Sequence, residues 1–91
     1  MHMNKTDEFG NTLLLIAAQN GHDKVAKYLC SKGANANHQN NQGQTAAHYA
    51  MSYNFFDLGA WLLDPENGPG ASDDIQNKFG LGPYDGINPD G

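Results

Sequence analysis

The feature that most constrains this chain is a pattern that occurs twice, 33 residues apart. Gly10 opens the stretch GNTLLLIAAQNGH, and Gly43 opens the stretch GQTAAHYAMSYNF. Alanine and leucine positions further along keep the same spacing in both copies. A fixed period of this size is the signature of stacked structural repeats, so the chain is predicted to consist of similar units placed side by side.

Each copy predicts a helix, a turn and a second helix. Thr12 and Thr45 precede apolar runs and are expected to cap the first helices, because a threonine hydroxyl accepts from the free amides of a first turn. Gly21 is expected to end one first helix in a left-handed conformation, and Pro65 stops a second helix. Gly59 is expected to let neighbouring helices approach closely. The apolar positions of the second helices recur at helical spacing: Val25, Ala26, Leu29 and Cys30, then Leu58, Trp61, Leu62 and Leu63.

A degenerate third copy begins at NKFGLGPYDG, residues 77–86. Gly43 and Gly80 are 37 residues apart, so the second copy holds four additional residues, which we place in DPENGPG near residues 65–70. We therefore divide the chain into a cloning remnant at 1–3, repeats over 4–87 and a tail at 88–91. The repeats comprise unit one at about 7–39, unit two at 40–73 and a partial cap at 74–87.

The charges are distributed unevenly along the chain. The first 45 residues hold three acids and four lysines, whereas the remainder holds seven acids and one lysine. The sequence has no arginine, which argues against a nucleic-acid-binding surface. Cys30 is the single cysteine, a pattern typical of a reducing compartment. No apolar run has the length of a membrane span and no signal peptide is recognisable, so we expect an intracellular, cytoplasmic protein that does not bind membranes.

The stretch GNTLLLIAAQNGHDKVAKYLCSKGANAN, residues 10–37, resembles an ankyrin repeat. The resemblance covers residues 7 to about 64 as two units and residues 74–87 as the start of a third. It implies an all-α ankyrin-repeat solenoid of stacked helix-turn-helix units with extended, hairpin-like finger loops. It also implies a non-catalytic scaffold for protein–protein interaction, which binds a partner protein through finger tips and the concave face of the first helices.

Several positions depart from the ankyrin pattern. Leu13 and Ala46 replace the motif proline, Leu15 replaces the motif histidine in unit one, and Asn54 replaces the motif glycine in unit two. The third unit lacks the capping threonine and is expected to form one short helical turn that caps the array. Roughly three repeats are usually needed for stability. We therefore expect either that the chain is the carboxyl-terminal end of a longer array, or that it self-associates through an exposed face of unit one that includes Leu13 and Leu15.

The histidines and the cysteine favour structural roles. The resemblance implies that His48 hydrogen-bonds the adjoining turn and that His22 is also structural, and neither has the second ligand that a zinc site requires. His38 is expected to be solvated, and His2 belongs to the cloning remnant. Cys30 lies on an apolar stripe and is predicted to pack in the core rather than act as a nucleophile. No enzyme, catalytic residue, cofactor or metal site is predicted.

One alternative concerns the oxygen-rich segment Asp64 to Asp74, DPENGPGASDD. Carboxylates and backbone carbonyls are calcium ligands, so the segment could make the chain a calcium-responsive module. The spacing lacks the alternating acids and closing glutamate of an EF-hand, which favours a solvated linker.

The resemblance places the candidate partner-binding residues at the fingers and at the ends of the first helices, and the packing of the repeats is expected to use none of their side chains. Phe9, Tyr53 and Phe79 are expected to contribute most, because exposed aromatic rings supply contact area at low entropic cost. Local packing against the neighbouring finger is the alternative for each ring. The acidic second half favours a basic partner segment. A further alternative is a regulatory segment of a larger enzyme or channel. The predicted residues are Glu8, Phe9, Asn11, Gln19, Asn20, Asn41, Gln42, Gln44, Ser52, Tyr53, Lys78, Phe79 and Leu81.

Overall fold

A computed structural model of the protein describes residues 4–85. This range contains four α-helices and no strand: α1 (Leu13–Gln19), α2 (Asp23–Ser31), α3 (Ala46–Ser52) and α4 (Phe56–Leu63). Helix α1 packs against α2 and α3, and α3 packs against α4. The protein is therefore an all-α stack of two helix pairs, as the repeat pattern predicts.

The first helix of each pair begins at the predicted threonine. The Thr12 hydroxyl accepts from the amide of Leu15 and the Thr45 hydroxyl accepts from the amide of His48, each at 3.3 Å. Helix α1 ends before Gly21, whose φ of +67° is the left-handed conformation that glycine adopts without steric cost. Both predictions are confirmed, because caps and stops depend on residues that are close in sequence.

Small residues allow the helices to approach closely at the centre of the stack. Ala18 and Ala50 are fully buried, and a Cβ added to Gly59 would lie 2.9 Å from the sulfur of Met51. The core is formed by Leu14, Leu15, Ala17, Ala18, Ala26, Leu29, Ala36, Ala46, Ala47, Ala50, Leu58, Leu62 and Ala71. The predicted packing role of Gly59 is therefore confirmed.

Two side chains of unit one, Val25 and Leu15, differ from the sequence-based expectation. Val25 was predicted to face the core, but it is 50% exposed. Leu13 and Leu15 were both predicted to lie on the exposed face. Leu13 is exposed as predicted, and so is Ile16, but Leu15 is 1% exposed. Cys30 is half-buried and packs against the core cluster. The seven residues of α1 place successive side chains on different faces, so an error of one position exchanges buried and exposed side chains.

The same backbone hydrogen bond follows the second helix of each unit. The Ala34 amide donates to the Leu29 carbonyl at 3.0 Å, and the Ala71 amide donates to the Leu62 carbonyl at 2.8 Å. The expected helical turn of the cap is not formed within the described range: residues 83–85 form a turn, with Pro83 buried. The remnant at 1–3, the end of the cap at 86–87 and the tail at 88–91 lie outside the described residues. The unit boundaries stay a prediction.

Candidate protein-binding surface

Three loops, here called fingers one, two and three, have the same local structure and cover residues 7–11, 40–44 and 77–81. In finger one the Asp7 carboxylate accepts from the amides of Phe9 at 2.9 Å and Asn11 at 2.8 Å. The side chains of Asn40 and Asn77 accept from the equivalent amides in the other fingers. The amide of Asn11 is the main cause that holds the pKa of Asp7 below its usual range. Each finger is thus closed by its own first residue.

Hydrogen bonds join the fingers into a ladder. The Asn41 amide donates to the Phe9 carbonyl and the Lys78 amide donates to the Gln42 carbonyl, each at 3.0 Å. Gly43 is required at one of these contacts, because an added Cβ would lie 2.7 Å from the Lys78 nitrogen. The fingers therefore stack at a fixed spacing, with their tips side by side.

Three predicted binding residues are part of this ladder. The Asn41 side-chain amide donates to the Glu8 carbonyl at 3.2 Å. The Asn40 side-chain amide donates to Asn11 Oδ1 at 2.8 Å, and the Asn77 side-chain amide donates to Gln44 Oε1 at 2.9 Å. The expectation that the packing of the repeats uses none of the candidate side chains is therefore wrong for Asn11, Asn41 and Gln44.

Two histidines bond to finger backbone. His48 is 2% exposed, its Nε2 lies 2.9 Å from the Leu81 carbonyl, and its Nδ1 accepts from the Thr45 amide at 3.3 Å. The structural role predicted for His48 is confirmed. His38 was expected to be solvated, but its Nε2 lies 2.9 Å from the Gly10 carbonyl. That expectation was wrong, because the partner carbonyl is 28 residues away and no local pattern indicates it. His22 is exposed at the start of α2.

The finger tips expose most of the remaining candidates. Phe9 is 61% exposed and Phe79 is 69% exposed, with the Lys78 ammonium 5.2 Å from the Phe79 ring centroid. Local packing therefore leaves most of both rings in solvent. Leu81 is 38% exposed. Glu8, Asn41, Gln42 and Lys78 are also exposed.

The end of α3 adds an aromatic pair beside the fingers. The rings of Tyr49 and Tyr53 are stacked, with centroids 6.0 Å apart and planes 4° apart. Asn40 donates to the Tyr49 hydroxyl at 2.7 Å, which connects this pair to finger two. Tyr53 is 53% exposed, Ser52 is half-buried, and Tyr49 was missed by the sequence analysis. The four-residue spacing of the two tyrosines on one helix could have indicated it.

The equivalent end of α1 is polar. Asn20 is exposed, but its side-chain amide donates to the Ile16 carbonyl at 2.8 Å. Gln19 is half-buried. Of the two helix ends, only that of α3 offers an aromatic surface.

The family model that describes ankyrin repeats (3 copies) matches residues 1–77. The chain belongs to the ankyrin-repeat family. Rabankyrin-5 of Mus musculus is 38% identical over 72 residues, which cover 79% of this chain and 6% of that protein. The NAD-capped RNA hydrolase NUDT12 of Homo sapiens is 32% identical over 66 residues, which cover 72% of this chain and 14% of that protein. The chain thus spans a small part of these relatives. Ankyrin repeats are in general non-catalytic protein-interaction modules.

Residues of α2 and α4 line a common cavity of about 490 Å³. The Lys27 ammonium lies 3.2 Å from the Asp23 carboxylate and 5.5 Å from the Trp61 ring centroid. Cys30 lines a neighbouring cavity of about 270 Å³. Burial raises the pKa of the Cys30 thiol, which favours the protonated form and opposes a nucleophilic role.

In the acidic segment after α4, the Asp64 carboxylate accepts hydrogen bonds from neighbouring residues of the same segment. Asp64 accepts from the Glu66 amide at 2.9 Å and from the Asn67 side chain at 3.1 Å, and the Glu66 amide is the main cause of the lowered pKa of Asp64. Among residues 4–85, no three histidine, cysteine or acidic side chains come together as metal ligands. The described geometry therefore gives no support to the calcium alternative. In the same range no helix is both long and apolar enough to cross a membrane.

Proposed function

We propose that this ankyrin array binds a partner protein through its three finger tips and the adjoining end of α3. The observation that supports this proposal best is the exposure of three aromatic rings on a hydrogen-bonded scaffold. Phe9, Tyr53 and Phe79 are 53% to 69% exposed, while the finger backbones are held by neighbouring fingers. Rings that are exposed before binding supply contact area, and a preformed backbone reduces the entropy lost on binding.

The partner segment is proposed to be basic. Seven of the ten acids lie in residues 46–91, where Lys78 is the single lysine. Finger one adds the exposed acids Asp7 and Glu8. A lysine- or arginine-rich segment would therefore be attracted over much of the surface, which mainly increases the rate of association. An intracellular, cytoplasmic location remains part of this proposal.

Selection from random peptides tests the proposal without a known partner. A phage-displayed library of random linear peptides is selected on the immobilised chain, and synthetic copies of the enriched peptides are titrated by fluorescence anisotropy. We expect peptides rich in lysine or arginine whose affinity falls as salt concentration rises. Replacement of Tyr53 or Phe79 by alanine should weaken binding at least about tenfold, as loss of a central aromatic contact does.

A matched control is available in unit one. Tyr28 and Tyr53 are both 53% exposed, but Tyr28 lies on α2, away from the fingers. Tyr28→Ala should leave peptide affinity unchanged. Equal losses in Tyr28→Ala and Tyr53→Ala, or no loss in either finger-side variant, would contradict the proposed surface.

A second candidate is that the repeats regulate an enzyme or channel within a longer polypeptide. The match to NUDT12 favours it, because that protein is named as a hydrolase and the match covers 14% of it. Sequencing the complete reading frame tests this candidate: a catalytic or channel domain in the same frame would support it, and a frame of ankyrin repeats alone would refute it.

A further inference from the structure

Unit one exposes an apolar surface at positions that unit two buries. We name this surface the N-terminal face: Leu13, Ile16, Val25 and Tyr28, which are 48%, 40%, 50% and 53% exposed. The residues 33 positions later pack against unit one: Ala46 and Leu58 are 1% and 3% exposed, and Tyr49 and Trp61 are half-buried against the core. The internal repeat therefore identifies the N-terminal face as a stacking surface of the same kind as the interface between the two units.

The opposite side of the stack is occupied by the chain itself. Ala47, His48 and Leu62, equivalent to buried leucines of unit one, are 1%, 2% and 0% exposed. His48 bonds to the carbonyl of Leu81, and Pro83 of the cap is also buried. A second copy could stack head-to-tail only by displacing these residues, whereas a pairing of two N-terminal faces displaces none of residues 4–85 from the face.

Charge favours the same pairing. The first half of the chain holds three acids and four lysines, and the second half holds seven acids and one lysine. Two copies that meet at unit one keep their acidic halves apart. The rim of the face is also self-complementary: Lys5 and Asp7 line a cavity of about 330 Å³ together with Leu13 and Ile16. Across a two-fold axis, the lysine of one copy can approach the aspartate of the other.

We propose that the N-terminal face docks a second copy of this chain, and that the two copies are related by a two-fold axis. An isologous contact of this kind is closed, so association stops at two chains. A head-to-tail contact would continue to longer oligomers. The four residues of the N-terminal face lie outside the fingers, and Asp7 at its rim is the one residue that the face shares with finger one.

Sedimentation equilibrium of the 91-residue chain, from low to high micromolar concentration, tests the proposal. The expected mass rises from that of one 9.8 kDa chain to that of two and then remains constant. The double variant Leu13→Glu, Val25→Glu should keep the mass of one chain throughout. Both positions lie in first helical turns, where an acid is favourable, so the monomer should remain folded. Circular dichroism checks this.

Phe56→Glu is the matched control. Phe56 is the first residue of α4 and is 45% exposed, as Leu13 is the first residue of α1 and is 48% exposed. The control should form dimers as the parent chain does. A parent chain that stays monomeric at the highest concentration overturns the proposal, and so does a mass that rises beyond two chains. Dimers that persist in a folded double variant, or are lost equally in Phe56→Glu, also overturn it.

Discussion

Unit one and unit two have the same threonine cap on the first helix and the same order of helices, yet they differ at positions that face the next element in the stack. Gly21 in unit one corresponds to Asn54 in unit two, and both have a φ of +67°. The ring of Phe55 lies against Gly21, and an added Cβ would be 2.6 Å from it. Unit one therefore needs a glycine at this position for both backbone conformation and space, whereas unit two needs only a residue that tolerates a positive φ.

A second difference concerns the motif histidine. Leu15 is buried by apolar contacts in the core, whereas His48 is buried with hydrogen bonds to Thr45 and Leu81. Unit two thus holds finger three through a polar side chain, and unit one has a leucine at the same position. The comparison indicates that the residue at a motif position depends on the element that packs next to the unit in the stack.

The largest expected effect on stability comes from placing the asparagine of unit two, Asn54, at the equivalent position of unit one, Gly21. Gly21→Asn keeps a residue that tolerates positive φ, but its side chain collides with Phe55. We expect a loss of at least about 2 kcal/mol in the free energy of unfolding, since overpacking forces neighbouring side chains to move. Chemical denaturation monitored by circular dichroism measures this loss.

Gly33→Asn is its control, because Gly33 has a φ of +97° and an added Cβ would meet nothing within 4 Å. It should lose less than about 1 kcal/mol, the cost of the conformation alone. Equal losses in the two variants would mean that Phe55 does not constrain Gly21.

A smaller effect is expected from giving unit two the leucine of unit one. His48→Leu leaves the Thr45 amide and one acceptor site of the Leu81 carbonyl without their side-chain partner. The expected loss is about 1–3 kcal/mol, the cost of burying unpaired polar groups. Hydrogen exchange at the Lys78 amide should also become faster, because that amide belongs to finger three.

His22→Leu serves as the exposed comparison and should change stability by no more than about 0.5 kcal/mol. A His48→Leu variant as stable as this comparison would show that the two hydrogen bonds contribute nothing to holding finger three.

The smallest expected effect is an increase in the free energy of unfolding. Asn54→Gly restores the residue that suits a positive φ, and no collision is relieved, so we expect a stabilisation of about 0.5 kcal/mol. Thermal unfolding should show a midpoint higher by a few degrees. Asn20→Gly is the opposite case, because Asn20 has a φ of −103° and bonds to the Ile16 carbonyl. It should destabilise the chain, and stabilisation by both variants would refute the argument from backbone conformation.

Sequence reasoning predicted the exposed rings of the proposed binding surface but not the hydrogen bonds that support it. Phe9, Tyr53 and Phe79 occupy positions at which the repeat needs no particular side chain, so their exposure follows from the motif. Asn11 bonds to Asn40, 29 residues later, and Gln44 bonds to Asn77, 33 residues later. These hydrogen bonds depend on the distance at which the units stack.

The sequence by itself determined the four helices, the threonine caps of α1 and α3 and the family of the fold, because capping, helical periodicity and the 33-residue spacing can all be read along the chain. Only the tertiary structure decided which side chains of that pattern reach solvent. Val25 and Leu58 occupy the same motif position, yet one is 50% exposed and the other 3%. The physical reason is that burial depends on the neighbouring unit: Leu58 packs against unit one, and Val25 lies on the side where the described chain has no further repeat.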